Sequence, residues 1–276
     1  MIPSSFLFPL AICAVCFPCA RVGEVRILPW LVLYVLATAL AVAAGAVTLG
    51  GLVALAFLLG LAWEAHRASG LARLVLILLF AALALALSIQ AVPGVGKVTS
   101  PVSSLNVGKV SAGLLLFALL VPRVSSTADV RRFWKPTLAI GVTGTVVTVG
   151  AAVAMGYVRF DPKLPPGTAV ILASNLLFTC ITEESFFRGL LQEEMHRAAE
   201  RSHRRWLHAV AVAVSAIVFG AAHAAGGLHF VLLATLGGVT NALAYGKSRK
   251  VEASVVTHFI LNATHFVLFT YPIVAR

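Results

Sequence analysis

The run AVILASNLLFTC at positions 169–180 passes without a break into ITEESFFRGLL at 181–191. The first part is apolar enough to continue a helix into lipid, yet Glu183, Glu184 and Arg188 follow within six residues. Ionisable side chains at membrane depth are costly, and those that persist there face a partner or a wet cavity. If this stretch is membrane-embedded, the chain around it must be helical or a closed barrel, because lipid leaves backbone groups no other way to be satisfied.

The rest of the chain decides between these. Of 276 residues, 60% are hydrophobic and 11% charged, and the mean hydropathy is +0.97. Soluble domains carry about 25% charged residues, so the composition excludes a soluble enzyme. The apolar runs are continuous and do not alternate in ten-residue segments, which favours helices over a barrel. The expected fold is all-α, a polytopic membrane bundle of roughly 8–10 transmembrane helices. Candidate spans fall at 5–20, 27–48, 51–63, 74–92, 110–122, 137–158, 168–187, 207–224, 229–246 and 253–273. Two of these, 51–63 and 110–122, are shorter than the roughly 17–25 residues that cross a bilayer upright, and are expected to be half-inserted or fused with neighbours.

The formal charge of +11 and the pI near 10.2 do not point to nucleic acid. Most Lys and Arg residues fall in one set of alternate loops, including Arg67, Arg123, Arg131, Arg132, Arg204, Lys247 and Lys250. That asymmetry marks the cytoplasmic side of a multi-pass protein of the plasma or inner membrane. The N-terminus has an apolar core with no basic residue before it and no small-x-small cleavage site after it, so it reads as a retained first helix. Its Cys13, Cys16 and Cys19 superficially resemble a metal or cluster motif, but no His or acidic ligand stands nearby. Buried Cys is an ordinary small apolar residue.

The Gly/Pro/Ser-rich segment PGVGKVTSPVSSLNVGK (93–109) and the basic, Trp-containing segment RVSSTADVRRFWKP (123–136) are expected to separate accessory N-terminal helices, 1–136, from a C-terminal core, 137–276. All the suspicious intramembrane polar residues fall in the core. Glu184 and Arg188 stand at i and i+4 with the acid first, the favourable order for a pair on one helix face. Glu183 is about 100° away and five residues from Arg188, so α-helical spacing leaves it without a partner in its own turn. A desolvated carboxylate of this kind suits taking and returning a proton. The alternative is a cluster whose three side chains simply reach water at a helix end. In SAIVFGAAHAAGG (215–227), Phe219 and His223 are again i and i+4, so the ring can fix the imidazole; a satisfied structural His would look the same. In VVTHFILNATHF (255–266), His258 and Asn262 direct two hydrogen-bonding side chains from one face, as oxyanion stabilisation requires. Helix-locking polar contacts would also look like this. His265 continues that face.

Taken together, E-E-x-x-x-R, F-x-x-x-H and H-x-x-x-N, in this order and each on its own hydrophobic segment, resemble the CAAX-protease and bacteriocin-processing family. The resemblance covers roughly 165–272. It implies a glutamate-dependent intramembrane endopeptidase in which Glu183 activates water, His223 orients that water, His258 and Asn262 hold the oxyanion, and Glu184, Arg188 and Phe219 support the site. It also implies a membrane-associated protein or peptide as substrate; a hydrophobic C-terminal or leader segment ranks above a prenylated tail. A metal-free site is favoured over zinc, because H-E-x-x-H is absent and Asn is a poor zinc ligand. Ser185 and Cys180 have no base at a spacing that would make either a nucleophile.

Two readings from other classes remain: a transporter with a Glu/His relay, and a non-catalytic membrane scaffold or immunity protein. There is also a conflict of depth. At about 1.5 Å per residue, Leu207 to His223 rises roughly 24 Å, which carries His223 away from Glu183. Irregular backbone lining a wet cavity would resolve it.

Overall fold

The computed structural model describes residues 4–17, 20–22, 25–100 and 103–270; Cys19 and the ends of the first and last candidate spans lie outside the described residues. Six described helical stretches are long and apolar enough to cross a bilayer: Leu49–Arg67, Gly70–Ser88, Thr127–Ala154, Thr168–Ser202, Ala224–Ser248 and Val251–Leu268. Pro29–Ala43, Val107–Leu120 and Trp206–Ala221 are shorter apolar helices. Large apolar side chains face outward along them, with Phe57 60%, Leu78 59% and Val146 66% exposed. In water such a surface would drive aggregation; in lipid it is the solvated surface. The chain is an all-α, multi-pass membrane protein.

Contacts divide it into two compact units, Met1–Leu120 with Leu177–Thr182, and Val121–Leu176 with Glu183–Arg276. The first contains α1 (Ser4–Ala14), α2 (Pro29–Ala43), α3 (Leu49–Arg67), α4 (Gly70–Ser88) and α5 (Val107–Leu115), which runs on as a π-helical turn, Leu116–Leu120. Two antiparallel ribbons complete it: β1 (Ala20–Val22) with β2 (Val25–Ile27), and β3 (Lys97–Ser100) with β4 (Ser103–Asn106). The start signals are local. Pro29 occupies the first turn of α2, where its missing N–H costs nothing. Thr48 Oγ1 accepts from Gly51 N at 3.2 Å and Asn106 Oδ1 from Lys109 N at 2.9 Å, each satisfying an orphan donor of the first turn.

One span and the two polar segments take definite form. The span 51–63 is a full helix of 19 residues, because α3 continues through Glu64, His66 and Arg67 to its cap. Charged residues end a lipid-compatible window without ending the hydrogen-bond ladder. The basic segment 123–136 is largely helical: Ser126 Oγ accepts from Asp129 N at 3.1 Å and opens α6 (Thr127–Ala154), which carries Pro136 in its interior. The Gly/Pro/Ser-rich segment folds as β3, β4 and the first turn of α5.

After α6 comes the helical stretch Thr168–Ser202, in which Leu177–Thr182 group with the first unit and the rest with the second. It comprises α7 (Thr168–Ser174), a π-helical segment Asn175–Cys180, α8 (Ile181–Glu184), a second π-helical segment Ser185–Gln192, and α9 (Glu193–Ser202). Then come α10 (Trp206–Ala221), α11 (Gly227–Ser248) and α12 (Val251–Leu268), while β5 (Arg159–Phe160) pairs with β6 (Phe269–Thr270). Small residues let these helices approach closely. A Cβ at Gly141 would meet Thr257 at 3.1 Å, and one at Gly238 would meet the Ala216 carbonyl at 3.1 Å and the Phe219 ring at 3.2 Å. The turn from α10 to α11 needs Gly227, whose φ is +82°.

Candidate active site

Glu184 is the centre of a fully buried polar network in the second unit. Both it and Arg188 are 0% exposed. Its Oε1 accepts from Arg188 Nη1 at 3.2 Å, from Asn241 Nδ2 of α11 at 3.0 Å and from His258 Nδ1 of α12 at 2.7 Å. The Asn241 amide is itself set by Thr257, whose Oγ1 donates to Asn241 Oδ1 at 2.9 Å. Arg188 spends its second terminal nitrogen on the Gly238 carbonyl at 2.9 Å and lies with its guanidinium carbon 4.4 Å from the centre of the Phe219 ring. The glycine thus allows close approach of α10 and supplies a carbonyl to the cation. Glu184 Oε2 and Arg188 Nε have no hydrogen-bond partner among the described residues.

Backbone geometry explains how one short stretch supplies so much. Directly after Glu184 the helix widens into π turns, Ser185–Gln192, a distortion common at functional sites. Glu183 is half-buried and lies within electrostatic reach of Arg188. Glu184 thus holds the guanidinium by a hydrogen bond, while the Glu183 charge acts on it through space.

Above this network lies a cavity of about 140 Å³, room for several waters. His223, His258, Asn262 and His265 line it, with Phe219 and Phe230 among the apolar walls. Phe219 joins the two imidazoles: its ring centre is 4.7 Å from that of His223 and 5.6 Å, edge-on, from that of His258. His223 stands past the end of α10, and its Nδ1 donates to the Phe219 carbonyl at 2.7 Å. Since a carbonyl can only accept, Nε2 of His223 is the nitrogen without that proton. By the same logic His258, donating from Nδ1 to a carboxylate, keeps Nε2 for the cavity. The depth conflict is settled for the imidazoles. The lining on α11 runs from Phe230 to Asn241, a rise of roughly 16 Å at about 1.5 Å per residue, so the cavity is elongated along the helices and needs no common depth.

The structure thus brings together Phe219, His223, His258 and Asn262 on one cavity and Glu184, Arg188 and His258 in direct contact. Glu183 sits beside the network and is not part of the cavity lining. Asn262 Nδ2 donates to Asn175 Oδ1 at 3.2 Å, on the first π-helical segment. Ser185 is fully buried with no partner for its Oγ among the described residues, hence no base beside it. Asn175, Asn241 and Thr257 are site residues that spacing alone does not reveal. For Asn241 a signal existed: it is the lone amide in LLATLGGVTNALAY, three residues after the Gly237–Gly238 pair. Among the described residues no group of three His, Cys, Asp or Glu is placed to hold a metal ion.

Residues 165–264 match the family model described as type II CAAX prenyl endopeptidase, Rce1-like. No curated protein and no solved structure matches the chain. The matched stretch contains Glu183, Glu184, Arg188, Phe219, His223, His258 and Asn262, and over these residues the chain is similar to the CAAX-protease and bacteriocin-processing family.

Proposed function

We propose that this protein is an intramembrane endopeptidase that hydrolyses a peptide bond in a membrane-associated protein or peptide tail. The observation that carries the reading is the meeting of His223, from the end of α10, with His258 and Asn262, both from α12, on one cavity beside the Glu183–Glu184–Arg188 stretch. The family-model match over residues 165–264 adds the reaction class.

In this reading Glu183, beside the cavity, turns its carboxylate toward a water oriented by His223 and takes that water's proton as the water oxygen attacks the scissile carbonyl carbon. Negative charge moves to the carbonyl oxygen. Asn262 and His258, the latter in its protonated form, donate to that oxygen. The proton held by Glu183 passes to the amide nitrogen as the C–N bond breaks, leaving a carboxylic acid and an amine. Glu184 holds His258 in the orientation this needs, and Arg188 compensates the buried charge. The site works without a metal ion, and the protein resides in the plasma or inner membrane. A hydrophobic C-terminal or leader segment suits the apolar walls of the cavity better than a polar peptide.

The test is cleavage of membrane-tethered peptides by the purified protein, with and without chelator. Glu183→Gln is expected to lower kcat by at least about 10²-fold while the unfolding midpoint stays put. Chelator is expected to leave the rate unchanged. Full cleavage by Glu183→Gln would remove the assigned base, and loss on chelation restored by zinc would replace the metal-free mechanism. Absence of cleavage in the parent protein with every peptide class, set against retained function of Glu183→Gln in cells, would favour a scaffold.

A further inference from the structure

A second polar cavity lies at the C-terminal end of α11, where the turn into α12 meets the first turns of α6. Its volume is about 500 Å³, and its walls include Arg132, Lys247, Lys250 and Asp129 over the apolar Phe133 and Ile140. The rim is built rather than incidental. Lys250 Nζ lies 3.2 Å from Asp129 Oδ2 and donates to the Arg123 carbonyl at 3.0 Å. Val124 N donates to Glu252 Oε1 at 2.9 Å, and Val251 N to the Pro122 carbonyl at 3.0 Å. The segment before α6 is thereby laced to the start of α12.

Charge balance singles out two residues. Asp129 neutralises Lys250. Arg249 also borders the cavity, but its guanidinium is committed to Glu193 and Glu200. Arg132 and Lys247 are exposed, and neither forms an ion pair among the described residues. Two uncompensated cations, one from α6 and one from α11, thus face a wet cavity whose floor is apolar. Along α6 the surface stays greasy: Trp134 is 48%, Val142 52% and Val146 66% exposed.

We propose that this cavity binds the phosphate of an anionic glycerophospholipid, with the acyl chain lying on the exposed stripe of α6. The two cations match a phosphodiester that carries no compensating headgroup cation, and basic pockets between membrane helices hold such headgroups. The site is independent of the peptidase reading.

The full chain in detergent is titrated with phosphatidylglycerol, and separately with phosphatidylcholine, counting bound lipid by native mass spectrometry. Phosphatidylglycerol is expected to bind at one preferred site and phosphatidylcholine only non-specifically. Arg132→Gln with Lys247→Gln should weaken the preferred site about 25-fold, about fivefold for each cation removed. Lys97→Gln, on an exposed lysine of the other unit, should change nothing. Should the double variant unfold, Arg132→Gln alone carries the test with its fivefold loss. Equal retention of both lipids, or unaltered phosphatidylglycerol binding in the variants, overturns the proposal. So does displacement of the lipid by inorganic phosphate at matching concentration, which would make this a free-phosphate site.

Discussion

The helical stretch 168–202 anchors itself to α11 twice, and the two anchors are built differently. Glu184 reaches Asn241 and Glu193 reaches Tyr245, residues one turn apart on α11. At Glu193 both oxygens are used: Oε1 accepts from Arg197 at 3.0 Å and Arg249 at 2.8 Å, Oε2 from Arg249 at 2.9 Å and Tyr245 at 2.7 Å. The Arg249 side chain remains 31% exposed and adds Glu200 at 2.6 Å. Burial alone would lower the Arg249 pKa, but the hydrogen bonds and charges of Glu193 and Glu200 raise it above its ordinary value, so this anchor keeps its charge as pH varies. Glu184, in contrast, crowds three donors onto Oε1 and leaves Oε2 open, in a place with no exposure. A saturated, partly wet ion pair is a staple. A dry one with spare capacity, touching an imidazole that lines a cavity, is equipped for chemistry.

The sharpest way to break this contrast is to remove each acid. Glu184→Ala removes the hydrogen-bonded carboxylate partner of the fully buried Arg188 guanidinium, and removing one partner of a buried pair costs about 3–5 kcal/mol. Glu193→Ala leaves Arg249 with Glu200 and solvent, so its loss should be less than half as large. Thermal unfolding of both variants in detergent measures this. A Glu193→Ala loss equal to that of Glu184→Ala would mean that the dry pair is no more critical than the wet one.

Little of this ranking could be seen in the chain before folding, although its raw materials could. Continuous apolar runs and sparse charge were enough for the all-α membrane class, because lipid permits so few backbone solutions. Glu184 and Arg188 declared themselves by i, i+4 spacing, which survives in the structure at 3.2 Å. Nothing in SFFRGLLQ announces the π-helical segment that follows Glu184, where 3.6 residues per turn no longer holds. Helix ends were misplaced for a similar reason: hydropathy reports where lipid is tolerated, whereas α3 and α6 begin and end at caps. Asn241 and Thr257 stayed hidden because their role depends on which helix packs against which, a long-range fact.

Isosteric replacement separates charge from shape. In Glu184→Gln the amide can present a donor to His258 Nδ1 and disturb the proton arrangement that keeps Nε2 on the cavity side. We expect cleavage to fall about 10²-fold, with less destabilisation than in Glu184→Ala. Glu193→Gln should loosen the staple and leave the cleavage rate near that of the parent. Comparable rate losses in both would erase the division between a chemical and a structural anchor. Asn241→Ala comes next in size. It removes one interhelical donor from Oε1, worth about 1 kcal/mol between membrane helices, and should lower kcat without raising KM, since Asn241 acts through Glu184 and His258.

The smallest effects sharpen the comparison most, because they equalise stability and leave function to differ. Tyr245→Phe deletes the hydroxyl that donates to Glu193, and Thr257→Val deletes the hydroxyl that orients the Asn241 amide. Each replacement keeps volume and loses one hydrogen bond, so each should cost about 0.6 kcal/mol, the average for such bonds in a membrane bundle. In Tyr245→Phe the carboxylate still has three donors from two guanidinium groups, and the anchor should hold with no change in cleavage. In Thr257→Val the Asn241 amide is free to turn, Glu184 then loses a donor in part of the population, and His258 loses its fixed position. The expected outcome is two nearly identical unfolding midpoints with a severalfold lower kcat for Thr257→Val alone. Equal rates in the two variants would show that Thr257 helps to pack α12 and does not orient the site.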